Sequence, residues 1–195
     1  TGQALMGGFT HGGELWDIYR ICKPIRENVY TLPMSIVTKT GDKGETGLLK
    51  GRRLPKTDPL FEVIGDLDEL SAQLGLTHNN STERIQNDLF ELGALLAGLE
   101  GGMIAQLQRI EEELFVLEPT LAPLKNFILP GGAPEAAQLH LARAVCRRAE
   151  RHLASLSIQP AHALPYLNRL SDYLFLLARR SNQATQTKEV LWKKV

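Results

Sequence analysis

Between positions 38 and 46 the chain reads Thr38-Lys39-Thr40-Gly41-Asp42-Lys43-Gly44-Glu45-Thr46. Two glycines let backbone N–H groups turn toward one point, which makes an anion nest. Thr38, Thr40 and Thr46 add hydroxyl donors, and Lys39 and Lys43 add positive charge. That chemistry suits a polyphosphate. The segment is not a Walker A loop, because no Gly-Lys-Ser/Thr follows. A solvated hairpin or a flexible tail has the same composition. Further along, Arg143, Arg147 and Glu150 fall at i, i+4 and i+7, on one helix face with Ala136 and Leu139. Arginine's planar fork grips phosphate oxygens in pairs. Glu150 can orient an arginine or bind a hard cation such as Mg²⁺. The same spacing also serves ordinary surface ion pairs.

Three more constellations carry polar groups into apolar surroundings. Asn168 and Asp172 share a face of an apolar helix, with Arg179 two turns further along it. They belong either to a buried inter-helix network or to a pocket lining. In Gly65-Asp66-Leu67-Asp68-Glu69-Leu70 three acids crowd one turn. Either Asp68 faces solvent, or it pairs with an arginine such as Arg143 on another helix or subunit. The apolar loop Asn126-Phe127-Ile128-Leu129-Pro130-Gly131-Gly132 is either core filler or a pocket lid.

The elements that position these residues are helices. Phe61, Ile64, Leu67, Leu70 and Leu74 recur at three- and four-residue steps. Four further stretches do the same: Ile85 to Leu96, Ile104 to Leu117, about Pro134 to Leu153, and Leu164 to Leu177. Breakers separate them at Asn79-Asn80-Ser81, Gly101-Gly102, Pro130-Gly131-Gly132 and Ser157 to Pro160. Five amphipathic helices with mostly short loops predict an all-α, antiparallel five-helix bundle over about residues 60–182. The stretch from Ser35 to Pro59 is a polar arm outside it. Residues 1–33 read differently from the rest: either a remnant added ahead of a natural start at Met34, or an N-terminal extension.

Composition narrows the function classes. The 22 basic and 22 acidic residues cancel, which argues against a non-specific nucleic-acid binder. No apolar run approaches the roughly 20 residues that span a bilayer. Cys22 and Cys146 form no Cys-x-x-Cys pair, and the five histidines form no zinc spacing. A reducing compartment follows as the simplest expectation: the cytoplasm, or alternatively an organelle matrix.

Taken in order, Thr38-Lys39-x-Gly41-Asp42-x-Gly44-x-Thr46, Gly65-x-x-Asp68-Glu69-Leu70, Phe127-Ile128-Leu129-Pro130-Gly131-Gly132, Cys146-Arg147-Arg148-Ala149-Glu150-Arg151 and Tyr166-Leu167-Asn168-Arg169-Leu170-Ser171-Asp172-Tyr173 resemble the PduO-type ATP:cob(I)alamin adenosyltransferases. The resemblance covers about residues 35–182, within a domain of 34–195. It implies a homotrimeric five-helix bundle that moves the 5′-deoxyadenosyl group of ATP to cob(I)alamin, with ATP held at subunit interfaces. It implies that the arm (Thr38, Lys39, Gly41, Asp42, Gly44, Thr46) wraps the triphosphate and that Lys56 serves the nucleotide site. Arg147, Glu150 and Asn168 match ATP-contacting residues, and Glu150 is the candidate for Mg²⁺. Arg143 matches an arginine paired with the aspartate at Asp68 across the interface. Phe127 matches the aromatic residue that shields the lower face of the corrin ring. Arg147, Phe127 and Asn168 are therefore the candidate catalytic group. A cob(II)alamin reductase and an adenosylcobalamin-dependent enzyme are the implied partners. The alternative reading is a non-catalytic trimer that binds ATP or cobalamin as a carrier or sensor.

Overall fold

Helix α1 (Pro59–Gly75) starts after Asp58, an extended residue that caps it. The Asp58 carboxylate accepts from the Leu60 N–H at 3.0 Å, and Pro59 fills the first turn, where its missing N–H costs nothing. The computed structural model describes residues 37–77 and 80–194. The expectation for residues 1–33 lies outside them. The described residues divide into two compact units, one ending at Thr57 and the other beginning at Asp58.

The second unit holds five helices: α1, α2 (Asn80–Leu96), α3 (Ile104–Leu117), α4 (Pro134–Ala154) and α5 (Ala163–Ala184). Each buries the stripe its periodicity marks. In α1 these are Val63, Leu67, Leu70 and Leu74; in α4 Leu139, Ala142, Val145, Cys146, Ala149 and Leu153. In α5 they are Tyr166, Leu167, Leu170, Leu174 and Leu177. Burying each large side chain contributes roughly 1.5–3 kcal/mol.

Side-chain contacts fix the helix directions. Along α2 and α3, Arg84 meets Glu113, Asp88 meets Arg109 and Glu91 meets Gln106, so the two run antiparallel. Along α4 and α5, Glu150 meets Asn168, Cys146 donates to the Leu167 carbonyl and Glu135 meets Ser181, again antiparallel. Helices α3 and α5 run parallel: the Met103 N–H donates to the Ala161 carbonyl at 2.9 Å, and further on Arg169 meets Glu111.

The first unit corrects the all-α expectation. Strand β1 (Glu45–Gly47) pairs antiparallel with β2 (Arg53–Pro55), with Thr46 opposite Leu54. A short 3-10 turn at Leu49–Gly51 joins them, with positive φ at Lys50 (57°) and Gly51 (74°), and the Leu48 N–H closes onto the Arg52 carbonyl at 2.7 Å. Three residues per strand are too few for an alternation to register. The molecule is therefore mostly helical, with a small two-stranded hairpin.

One buried acid ties three helices together. Asp88 is 4% exposed and accepts from Arg109 at 2.6 Å, Arg84 at 3.0 Å and the Tyr166 hydroxyl at 3.1 Å. Removing the carboxylate leaves two guanidinium groups and a buried phenol without it. Asp88→Ala is expected to destabilise the fold by about 3 kcal/mol, read from the midpoint of urea unfolding. An unchanged midpoint would mean the three donors find other acceptors.

Candidate functional site

The arm is shaped by backbone conformation before any side chain acts. Lys39 (φ 56°) and Gly44 (φ 82°) both take the left-handed region. The N–H groups of Asp42 and Gly44 fold back onto the carbonyls of Lys39 and Gly41 at 3.4 and 3.2 Å. Arg53 locks the turn from the far strand. Its guanidinium donates to the Thr40 carbonyl at 2.9 Å and to the Glu45 carboxylate at 3.4 Å. The hairpin also returns Lys56 to the turn: its N–H donates to the Gly44 carbonyl at 2.8 Å. A Cβ on Gly41 would lie 3.1 Å from the Lys56 ammonium nitrogen. Glycine at 41 is what allows that cation so close. Thr38 and Thr40 share a hydroxyl contact at 2.9 Å. Thr46 sits in β1 and Asp42 at the exposed tip. The arm thus gathers Lys56, Gly41 and Gly44 at one turn.

The bundle contributes a polar line across α4 and α5. Glu150 Oε1 accepts from the Asn168 amide NH₂ at 3.0 Å. Arg147 lies one turn back on α4 and is exposed. Asp172 is exposed as a residue, yet its carboxyl pKa is raised. Loss of water is the main cause; Arg169 and Arg147 oppose it, and Glu150 and Glu118 reinforce it. Arg147, Glu150, Asn168 and Asp172 therefore sit within one electrostatic neighbourhood. Arg179 does not join them. It is 8% exposed, and it donates to Glu189 at 3.0 Å and to the Ala122 carbonyl at 2.9 Å, anchoring the C-terminal segment. Its partners lie near the C-terminal end of α5, away from Asn168.

Neighbouring arginines do different work. Arg148 is spent on α1: it donates to Asp66 at 2.8 Å and also bonds Glu69. Asp66 lies 2.7 Å from His152 as well. Among the described residues neither Arg143 nor Arg147 makes an ion pair. The Arg143 guanidinium lies 5.9 Å from the centre of the Phe175 ring, and its buried Nε has no hydrogen-bond partner. Desolvation first, and then Arg147, lower its pKa. Asp68 is exposed and pairs with nothing among the described residues. Two unpaired guanidiniums one turn apart repel each other and favour an anion between them.

Phe127 is exposed, with 80% of its surface open. Its loop is not core filler. The C-terminal segment pairs with it: Leu129 N–H to the Val190 carbonyl and Trp192 N–H to the Phe127 carbonyl, both at 2.8 Å. The Phe127 and Trp192 rings meet edge to face at 6.4 Å. Behind the loop, Asn182 accepts from the Ala133 N–H at 2.9 Å and donates to the Gly131 carbonyl at 3.1 Å.

A family model described as cobalamin adenosyltransferase matches residues 36–181. The chain belongs to this family. A cobalamin adenosyltransferase of Cupriavidus metallidurans is 43% identical, over 82% of this chain and 94% of its own. The corrinoid adenosyltransferase MMAB of Mus musculus is 37% identical, over 82% and 77%. The corrinoid adenosyltransferase PduO of Citrobacter freundii is 41% identical, and the chain spans about half of that longer relative (53%). Among solved structures, a phenylalanine-to-histidine variant of the PduO-type ATP:corrinoid adenosyltransferase from Lactobacillus reuteri, complexed with cobalamin and ATP, superposes with a TM-score of 0.76. It is 33% identical, over 82% of this chain and 97% of that one.

Three residues with a part in this geometry escaped sequence reasoning: Arg53, Arg169 and Glu111. Only pairing register brings Arg53 to the arm's turn. Only the parallel packing of α3 on α5 brings Glu111 to Arg169. Gly132 is the weak point of the Phe127 loop. It holds φ 110°, and a Cβ there would overlap the Asn182 amide. Gly132→Ala is expected to cost about 1–3 kcal/mol from backbone strain alone and to free the 127–132 loop. Faster amide exchange at Ala133 and Leu129 checks this; unchanged exchange would show the clasp to be dispensable.

Proposed function

We propose that this chain transfers the 5′-deoxyadenosyl group of ATP to the cobalt of cob(I)alamin and releases triphosphate. The observation that supports it most is the likeness to a PduO-type enzyme solved with both cobalamin and ATP, over four fifths of this chain. A Co–C bond forms as the bond from C5′ to the triphosphate oxygen breaks, and the oxygen keeps the electron pair. Cobalt in the Co(I) state is nucleophilic enough to need no general base, so the protein's task is position and field. Aligning carbon with cobalt lowers the barrier by roughly 7–11 kcal/mol.

Thr38, Lys39, Gly41, Asp42, Gly44, Thr46 and Lys56 hold the polyphosphate. Arg147 meets the charge that gathers on the departing oxygen. Asn168 and Glu150 orient the nucleotide. Among the described residues no group of three or more His, Cys, Asp or Glu side chains forms a metal cage. One carboxylate suits Mg²⁺ that arrives with its nucleotide, because that ion keeps waters and phosphate oxygens as its other ligands. Glu150 accepts a neutral donor on Oε1 and is the residue that would hold it, where the ion would offset phosphate charge.

Phe127, exposed on its loop, covers the lower face of the corrin and keeps water and the lower ligand away. That favours the four-coordinate cobalt from which Co(I) is reached. Assembly as a homotrimer, with Asp68 of one protomer paired to Arg143 of the next and ATP at the interface, belongs to the same proposal. So do a cob(II)alamin reductase as electron source, an adenosylcobalamin-dependent enzyme as recipient, and a cytoplasmic setting. Among the described residues no helix is long and apolar enough to cross a membrane.

Two variants test the assignment in one anaerobic assay. Arg147→Ala is expected to lose roughly 100- to 1,000-fold in kcat with the oligomer mass unchanged. Phe127→Ala is expected to lose the four-coordinate Co(II) spectrum formed with ATP bound. Wild-type turnover in the first and a full four-coordinate signal in the second would remove both residues from the reaction.

A further inference from the structure

Helix α3 has no part in the functional reading so far, yet a continuous run of hydrogen bonds leads from it to Glu150. Glu111 of α3 accepts from Arg169 Nε at 3.3 Å. Arg169 Nη1 donates to the Asn168 side-chain oxygen at 2.8 Å. The Asn168 NH₂ group donates to Glu150 Oε1 at 3.0 Å. We propose that Arg169 is a positioning residue of the nucleotide site: anchored by Glu111, it fixes the Asn168 amide so that the NH₂ group faces Glu150. The inference rests on the reading of Asn168 and Glu150 as nucleotide contacts.

Donors and acceptors decide how the amide points. A primary amide has two faces of similar shape, one accepting and one donating, and little but its neighbours decides which way it points. Arginine has no acceptor, so the oxygen must face Arg169. An ionised carboxylate has no donor, so the NH₂ must face Glu150. Both neighbours enforce the same orientation, and bonds to charged partners are the stronger kind. Glu111 completes the restraint. It stands on a helix that packs parallel to α5, so it holds the guanidinium plane against rotation about the Arg169 side chain.

The Arg169–Glu111 pair is not a stability device. The two side chains are 42% and 49% exposed, in the range where ion pairs contribute little to folding. What the pair does is orient. A lysine at 169 keeps the charge but supplies a single nitrogen, which cannot reach both the carboxylate and the amide in the fixed geometry of a fork. Arg169 also opposes the desolvation that raises the pKa of Asp172.

The test is a double-mutant cycle in the full-length protein, read as KM for ATP and kcat separately. Arg169→Met and Asn168→Ala are each expected to lower kcat/KM for ATP by about tenfold. The double variant is expected to match Asn168→Ala alone, because Arg169 acts through the amide. Glu111→Gln keeps an acceptor for Arg169 and is expected to lose less than Arg169→Met. Arg169→Lys is expected to fall with Arg169→Met rather than recover. Thermal midpoints of the single variants should agree with wild type within a few degrees. Wild-type kinetics in Arg169→Met, or fully additive losses in the double variant, overturn the inference while wild-type turnover leaves the adenosyl-transfer reading intact. A wild-type protein that turns over no ATP sinks that reading first. If Arg169→Met does not fold, the cycle is run with Glu111→Ala, and additivity there counts against the inference in the same way.

Discussion

Helices α4 and α5 meet along apolar seams, with Leu139, Val145, Cys146, Ala149 and Leu153 on one side and Tyr166, Leu167, Leu170 and Leu174 on the other, all buried. Closing those seams brings Glu150 and Asn168 to hydrogen-bond distance, and the polar line across α4 and α5 depends on that closure. A carboxylate that loses part of its water must gain a donor. The amide supplies one without cancelling the charge, as an arginine would. One oxygen of Glu150 is held in this way.

The arginines show how the same residue type is divided between tasks. Arg148 faces α1 and is neutralised by Asp66 and Glu69. Arg147, its neighbour in sequence, points 100° away and keeps its charge unpaired. Arg143 packs on Phe175 with a buried Nε left without an acceptor. A fold that only needed stability would pair these groups or replace them. The buried Nε of Arg143 without an acceptor is a cost to the fold, whereas exposed Arg147 stays solvated. On the arm, hairpin pairing holds Lys56 against Gly41 and brings Arg53 to the Thr40 carbonyl, so these cations are gathered by backbone geometry and not by helix packing.

Much of this is legible in the residues. The three- and four-step runs locate all five helices, because a buried stripe on a helix has no other period. Pro59 and Pro134 mark two of the starts. The grouping of Arg147, Glu150 and Asn168 follows once α4 and α5 are known to be antiparallel. The hairpin was not legible, since three-residue strands carry no periodic signal. The fate of Arg179 was not either. It lies at the right spacing to join Asn168 and Asp172, but the C-terminal segment places Glu189 beside it, and a contact with a residue outside any helix leaves no mark in helical periodicity. Arg169 and Glu111 are 58 positions apart, and only the parallel packing of α3 on α5 makes them neighbours.

In the proposed reaction a metal-centred nucleophile takes the 5′-carbon of ATP while the whole triphosphate departs. Chemically reduced cobalamin and ATP, mixed with the purified protein without oxygen, test it directly when the products are counted. The account predicts one light-sensitive adenosylcobalamin for each inorganic triphosphate. Release of diphosphate or monophosphate, or a corrinoid that leaves the mixture without a carbon–cobalt bond, would contradict it.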